Sequence, residues 1–115
     1  MSDLRKLQDR IVQLRNDRDW QQFHTPKDMA ISLPLEASEV LELFQWKSHE
    51  EIEQYLKTHK QDLSDELADV LAYLLLIAND LDIDLPQAFE KKMQKNEAKY
   101  PVAKAKGKHT KYTEL

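Results

Sequence analysis

The chain has no cysteine and one glycine, Gly107, among its 115 residues. Without cysteine there are no disulfides, no zinc-thiolate sites and no cysteine nucleophile, a composition that fits a reducing compartment. With its only glycine near the carboxyl terminus, the chain cannot build a glycine-rich phosphate loop, and the glycine turns of β-hairpins are equally missing. Long apolar runs are also absent. The longest, Val70 to Ala78, is far short of the roughly 20 residues that span a bilayer, and the opening MSDLRKLQDR is too polar for a signal peptide. A cytoplasmic protein with no membrane contact is expected. The formal charge of −4 leaves no surplus of Lys and Arg to hold a nucleic-acid polymer, although single nucleotides bound through metal ions remain open.

What is present is 41% apolar and 33% charged residues, a mixture that suits amphipathic helices. The expected fold is all-α, four to five helices in one domain over residues 1–103, followed by a flexible lysine-rich tail over 104–115. Leu4, Leu7, Ile11 and Leu14 recur at helical spacing and predict a first helix over 3–19. Thr25, Pro26 and Asp28 read as a helix start, and that helix runs to about Trp46 through Pro34, which should bend it. Ser48 and Glu51 form a capping box for a short helix to about Thr58. HKQDLSDE reads as a polar connection with Asp62 or Ser64 as the next cap, before a helix over 65–81. Asp84, Pro86 and Gln87 open the last helix, which stops before Pro101. The segment Val70 to Ala78 is apolar all round, so it needs cover on every side, and a homodimer or homotetramer is the expected source.

One phrase occurs twice. LEASEVLELF at 35–44 is echoed by DELADVLAYL at 65–74, which places Glu36 and Glu39 in the register of Glu66 and Asp69. Helical residues advance by about 100° each, so both members of a pair lie on nearly one face, one turn apart. Ala37, Val40, Leu41 and Phe44 follow the first pair as Leu67, Val70, Leu71 and Leu74 follow the second, giving two apolar stripes expected to face the core. If the stripes pack antiparallel, four carboxylates meet in one pocket. Carboxylates at close range oppose folding unless a cation lies between them, and an all-oxygen ligand set favours Mg²⁺, with Mn²⁺ as substitute, over zinc. A di-iron site needs Glu-x-x-His pairs, and none of His24, His49, His59 or His109 stands three residues after a Glu. Taken alone, each pair would be a solvated acid at a stripe edge. Glu42 points well away from Glu36 and is assigned to solvent or an outer shell.

Glu36-x-x-Glu39 followed by Glu66-x-x-Asp69 resembles the metal signature of MazG-like nucleoside triphosphate pyrophosphohydrolases. RDWQQFHTPKDM, ELFQWK, DLPQAFEKKMQKN and KYPV extend the resemblance over residues 3 to 103, to the all-α dCTP pyrophosphatase branch. The resemblance implies hydrolysis of a (deoxy)nucleoside triphosphate, dCTP or a modified relative, to the monophosphate and pyrophosphate. Its role would be to clear unwanted nucleotides from the pool. It implies that Glu36, Glu39, Glu66 and Asp69 are both the Mg²⁺ ligands and the catalytic groups. One of them would also orient or deprotonate the attacking water. It makes Trp20 and Trp46 walls of the base pocket, Tyr73 a substrate contact, and Lys92 and Asn96 phosphate or sugar contacts, with Lys95 beside them. Phe23 and His24 are further wall candidates. Read without it, the tryptophans and Tyr73 are core or interface residues and the lysines an exposed basic face. The resemblance departs at Ile11, where vertebrate-type dCTP pyrophosphatases carry a base-contacting histidine, and at SLPL before Glu36. A second enzyme reading is the same fold acting on dUTP or a phosphoribosyl nucleotide, and the alternative of another class is a helical binding module without turnover.

Overall fold

The computed structural model describes residues 3–115, and among them all regular structure is helical. Five α-helices follow in order: α1 (Asp3–Asp17), α2 (Pro26–Phe44), α3 (His49–Asp80), α4 (Leu85–Lys99) and the single turn α5 (Val102–Ala105). The chain forms two compact units, one ending at Asp82 and one from Ile83 to Leu115. In the first, α3 packs along both α1 and α2. No helix among the described residues is long and apolar enough to cross a membrane.

The helix starts follow the sequence. Thr25 Oγ1 accepts the Asp28 N–H at 3.1 Å, with Pro26 at the first helical position. Ser48 and Glu51 close their capping box in both directions, and Asp84 accepts the Gln87 N–H at 3.0 Å. The helix ends take an unusual solution for want of glycine: Asp19, Trp46 and Asp82 all adopt positive φ, at 54°, 69° and 55°. Aspartate tolerates that region; for tryptophan it costs roughly 1 to 2 kcal/mol.

The expected break at HKQDLSDE is not a loop. α3 continues from His49 to Asp80, and only His59, at φ −123° and ψ 24°, leaves helical geometry. No proline or glycine lies between 59 and 66 to hold a loop open, so the helix resumes at once. Its polar residues then bond along the helix: Ser64 to the Lys60 carbonyl, Gln61 to Asp65, and the Tyr55 hydroxyl across the kink to Asp62. Asp62 and Ser64 are therefore mid-helix residues, not caps.

The inner face of α1 is rotated from the expected one. Leu7 and Leu14 are exposed, and the sheltered positions are Leu4, Gln8, Ile11, Val12 and Arg15. Two of these are polar because α1 is tied to α3 by hydrogen bonds: Gln8 Nε2 donates to the Leu75 carbonyl at 3.1 Å, and Arg15 reaches Asp80. Met29, Leu75, Leu76 and Ala78 form the fully buried apolar core. In the second unit, α4 is followed by residues that turn back on it: the Tyr112 ring meets Tyr100 edge-on at 5.9 Å and lies under Lys99 Nζ at 4.7 Å.

Candidate active site

α2 and α3 are joined by a tight turn and run antiparallel, which sets Glu39 against Glu66 and brings Glu36 close to Asp69. One carboxylate oxygen from each of Glu36, Glu39, Glu66 and Asp69 lies within 4.8 Å of the other three. Three of the four are half-buried and Asp69 is exposed, so the cluster opens to solvent on one side. The four acids lie at the seam of the helices rather than at the edge of an apolar stripe. That moves the stripes themselves: Ala37, Leu67 and Leu74 are exposed and Leu41 is 67% exposed, while Val40, Phe44, Val70 and Leu71 are half-buried.

The electrostatics of the cluster are those of crowded anions. A hydrogen bond with Glu39, which requires a proton on one of the two, followed by burial and by the charges of Glu39, Asp69 and Glu36, pushes the Glu66 carboxyl up to about 7. Burial, then the charges of Glu39 and Asp69, raises Glu36 as well. Glu66 Oε2 is shielded from solvent and has no hydrogen-bond partner. Among the described residues no Lys or Arg forms an ion pair with any of the four; the ion pairs are Arg5 with Asp9 and Arg15 with Asp80. A shielded, unpartnered carboxylate oxygen beside three other carboxylates is the donor set of a hard divalent cation.

Tyr73 follows one turn after Asp69, half-buried, with its hydroxyl pushed up by burial and then by the charges of Glu36 and Asp69. Ser32, one turn before Glu36, lies close to it, with its own hydroxyl donating to the Asp28 carbonyl at 2.9 Å. Sequence reasoning passed over Ser32, although the antiparallel register that pairs Glu36 with Asp69 also pairs Ser32 with Tyr73. Trp46 stands in the turn between α2 and α3, 91% exposed on a left-handed backbone. Trp20 lies in the connection between α1 and α2, partly exposed, with the Arg18 guanidinium 5.8 Å from its ring. Phe23 is exposed nearby in sequence, whereas His24 is half-buried. Burial, then the positive charge of Arg15, holds the His24 imidazole below its ordinary value.

Lys92 and Asn96 belong to the second unit, one turn apart on α4, exposed and half-buried respectively, with Lys95 exposed. Glu42 is exposed, outside the cluster. An open groove of 560 Å³ at the start of α3 is lined by Lys47, Tyr55 and His59 among others, not by the four acids. Its rings are self-satisfied: Tyr55 and His59 stack at 4.7 Å, and Lys47 sits over Tyr55.

Known proteins resemble this chain over most of its length. Residues 31–115 match the MazG-like family. The mouse protein named dCTP pyrophosphatase 1 is 39% identical over 117 aligned residues that take in all of this chain and 67% of the mouse protein; its human counterpart is 38% identical with the same coverage. A crystal structure of a pyrophosphatase from Archaeoglobus fulgidus superposes with a TM-score of 0.81 at 39% identity, over 88% of this chain and 94% of that one. A match over residues 31–115, which hold all four acids, and whole-chain similarity to the mammalian proteins place this chain in the MazG-like family.

Proposed function

We propose that the four-carboxylate pocket is the active site of a nucleotide pyrophosphohydrolase that converts a deoxynucleoside triphosphate, dCTP or a modified relative, to the monophosphate and pyrophosphate. The observation that carries this reading is the set of four carboxylate oxygens within 4.8 Å of one another, with no Lys or Arg among the described residues ion-paired to them. Relatives named dCTP pyrophosphatase 1 and a pyrophosphatase structure of similar fold support it. So does the absence of a glycine-rich loop, which leaves phosphate charge to be met by other means.

Glu36, Glu39, Glu66 and Asp69 are the residues that would hold Mg²⁺, or Mn²⁺ in its place. Bound there, the ion neutralises phosphate charge and makes a coordinated water more acidic. The chain itself supplies position and proton handling. The Glu66 carboxyl, pushed up to about 7 beside Glu39, suits the acceptance of a proton from attacking water at the α-phosphorus. The Tyr73 hydroxyl, which feels the charges of Glu36 and Asp69, suits donation to a substrate oxygen. Trp20 and Trp46 offer aromatic faces to the base, a contact worth roughly 1 to 3 kcal/mol per ring. Lys92 and Asn96 suit phosphate or sugar contacts. With Ile11 in place of a base-contacting histidine, selection for cytosine rests on stacking and shape, and closely related bases are expected to be accepted.

The exposed apolar residues Leu35, Leu41, Leu67 and Leu74 on α2 and α3 are suited to cover by further copies of the chain, giving a homodimer or homotetramer. Product analysis tests the reaction: each deoxy- and ribonucleoside triphosphate with Mg²⁺, scored separately for pyrophosphate and orthophosphate, beside Glu39→Ala. Monophosphate and pyrophosphate, lost in the variant, are expected. Stepwise orthophosphate release would rule out attack at the α-phosphorus.

A further inference from the structure

We propose that Arg15 is a positioning residue for Trp20, holding the base-side wall of the site in place from beneath. The inference rests on the reading of Trp20 as a base contact. Arg15 is the most buried charged residue of the chain, 1% exposed, in the last turn of α1. Its guanidinium forks onto Asp80 at the end of α3, Nη1 to Oδ2 at 2.8 Å and Nη2 to Oδ1 at 2.7 Å. The side chain thus pins the end of α1 to α3.

The main chain of the same residue holds Trp20. α1 closes with the Trp20 N–H on the Arg15 carbonyl at 3.2 Å and the Asp19 N–H on the Asn16 carbonyl at 3.1 Å, Asp19 being left-handed at φ 54°. This is a Schellman cap, in which the second residue past the helix bonds back to the helix interior. The Arg18 N–H shares the Arg15 carbonyl at 3.2 Å. From Trp20 a short 3₁₀ turn continues, with the Phe23 N–H on the Trp20 carbonyl at 2.9 Å and the His24 N–H on the Gln21 carbonyl at 3.0 Å. His24 in turn lies near enough to Arg15 and Asp80 to feel both charges. The connection from 18 to 24 is therefore tied at its start to the residue that carries this ion pair. Trp20 has little latitude of its own. A shift of Arg15 relative to Asp80 moves the carbonyl that anchors the tryptophan amide, and lysine cannot reproduce the two-pronged contact.

The experiment uses the full chain as Arg15→Lys, Asp80→Asn and Trp20→Ala, each shown to be folded by circular dichroism. Kinetics with Mg²⁺ compare dCTP with 2-deoxyribose 5-triphosphate, which has no base, and Trp20 emission is read in a Trp46→Phe background. For Arg15→Lys and Asp80→Asn, KM for dCTP is expected to rise about fivefold or more with kcat within about twofold. The base-free triphosphate is expected to be unaffected, and Trp20 to become more accessible to acrylamide. Unchanged KM and quenching, or an equal loss on the base-free triphosphate, would overturn the inference. Should Trp20→Ala leave KM for dCTP unmoved, the base-contact reading falls and the inference with it. A rise in Trp20→Ala with none in Arg15→Lys overturns the inference alone.

Discussion

Two carboxylate environments share helix α3 and behave in opposite ways. Asp80, at its end, has a side chain 17% exposed and accepts both prongs of the Arg15 guanidinium, and that hydrogen bonding holds its carboxyl below the ordinary value. Glu66, four turns earlier, faces Glu39 and has a shielded oxygen with no partner, and its carboxyl is pushed up to about 7. One acid is matched by the fold; the other is left for something the chain does not contain. A buried anion with its own cation belongs to the architecture, whereas anions gathered without one hold free energy that a bound ion can release. That distinction separates the structural charge from the proposed functional ones within a single helix.

Turnover gives the widest separation. Glu39→Ala is expected to lower kcat/KM for dCTP by about a thousandfold or more, as loss of a metal-holding or proton-accepting group does. Asp80→Asn is expected to leave kcat within about twofold. Steady-state kinetics with Mg²⁺ decide, and a comparable loss of kcat in both variants would erase the distinction.

Stability inverts the order. Arg15→Met removes the two charge-assisted bonds to the Asp80 carboxylate and is expected to cost roughly 1.5 to 3 kcal/mol in urea unfolding. Glu66→Gln removes a crowded charge and is expected to raise the midpoint of the metal-free protein. A destabilised Glu66→Gln without metal would mean that the cluster is self-supporting.

pH sharpens the contrast further. A carboxyl raised in the folded state binds its proton more tightly there than in the unfolded chain. Its contribution is therefore complete below about 4.5, the unfolded value, and is lost as pH rises through about 7. The metal-free chain should lose stability over that window, and Glu66→Gln should lose less. His24 acts in the other direction. Held below 6.5, it favours folding above that pH and loses the contribution as pH falls below it, a slope that His24→Gln should flatten. Thermal melts across pH, read as differences between variant and parent, isolate the two. The smallest effect is expected from Ser32→Ala, which removes a polar neighbour of the Tyr73 hydroxyl and should raise KM about two- to fivefold.

Much of this was legible in the chain because it depends on short-range rules. Helix starts at Thr25, Ser48 and Asp84 are local hydrogen-bond devices, and the matched spacing of Glu36, Glu39, Glu66 and Asp69 carried the convergence of four acids. What escaped depends on partners distant in sequence. Leu7 and Leu14 form as good a helical stripe as Leu4 and Ile11, and the ties from Gln8 to Leu75 and from Arg15 to Asp80, 67 and 65 residues away, turn them outward. Leu41 and Leu67 read as core because a stripe beside an acid pair is usually packed inward; here the acids take the seam instead. Polar composition made HKQDLSDE look like a loop, yet composition without glycine or proline breaks nothing, and the helix passes through with one kink at His59.

The central claim, that the unmatched acids await a divalent cation and the matched one does not, is tested most directly by titrating Mn²⁺, followed by electron paramagnetic resonance, into the parent chain, Glu39→Ala and Asp80→Asn at pH 6, 7 and 8. Binding by the parent and by Asp80→Asn is expected to tighten as pH rises through about 7, and to be lost in Glu39→Ala. Equal binding by Glu39→Ala and the parent would contradict it.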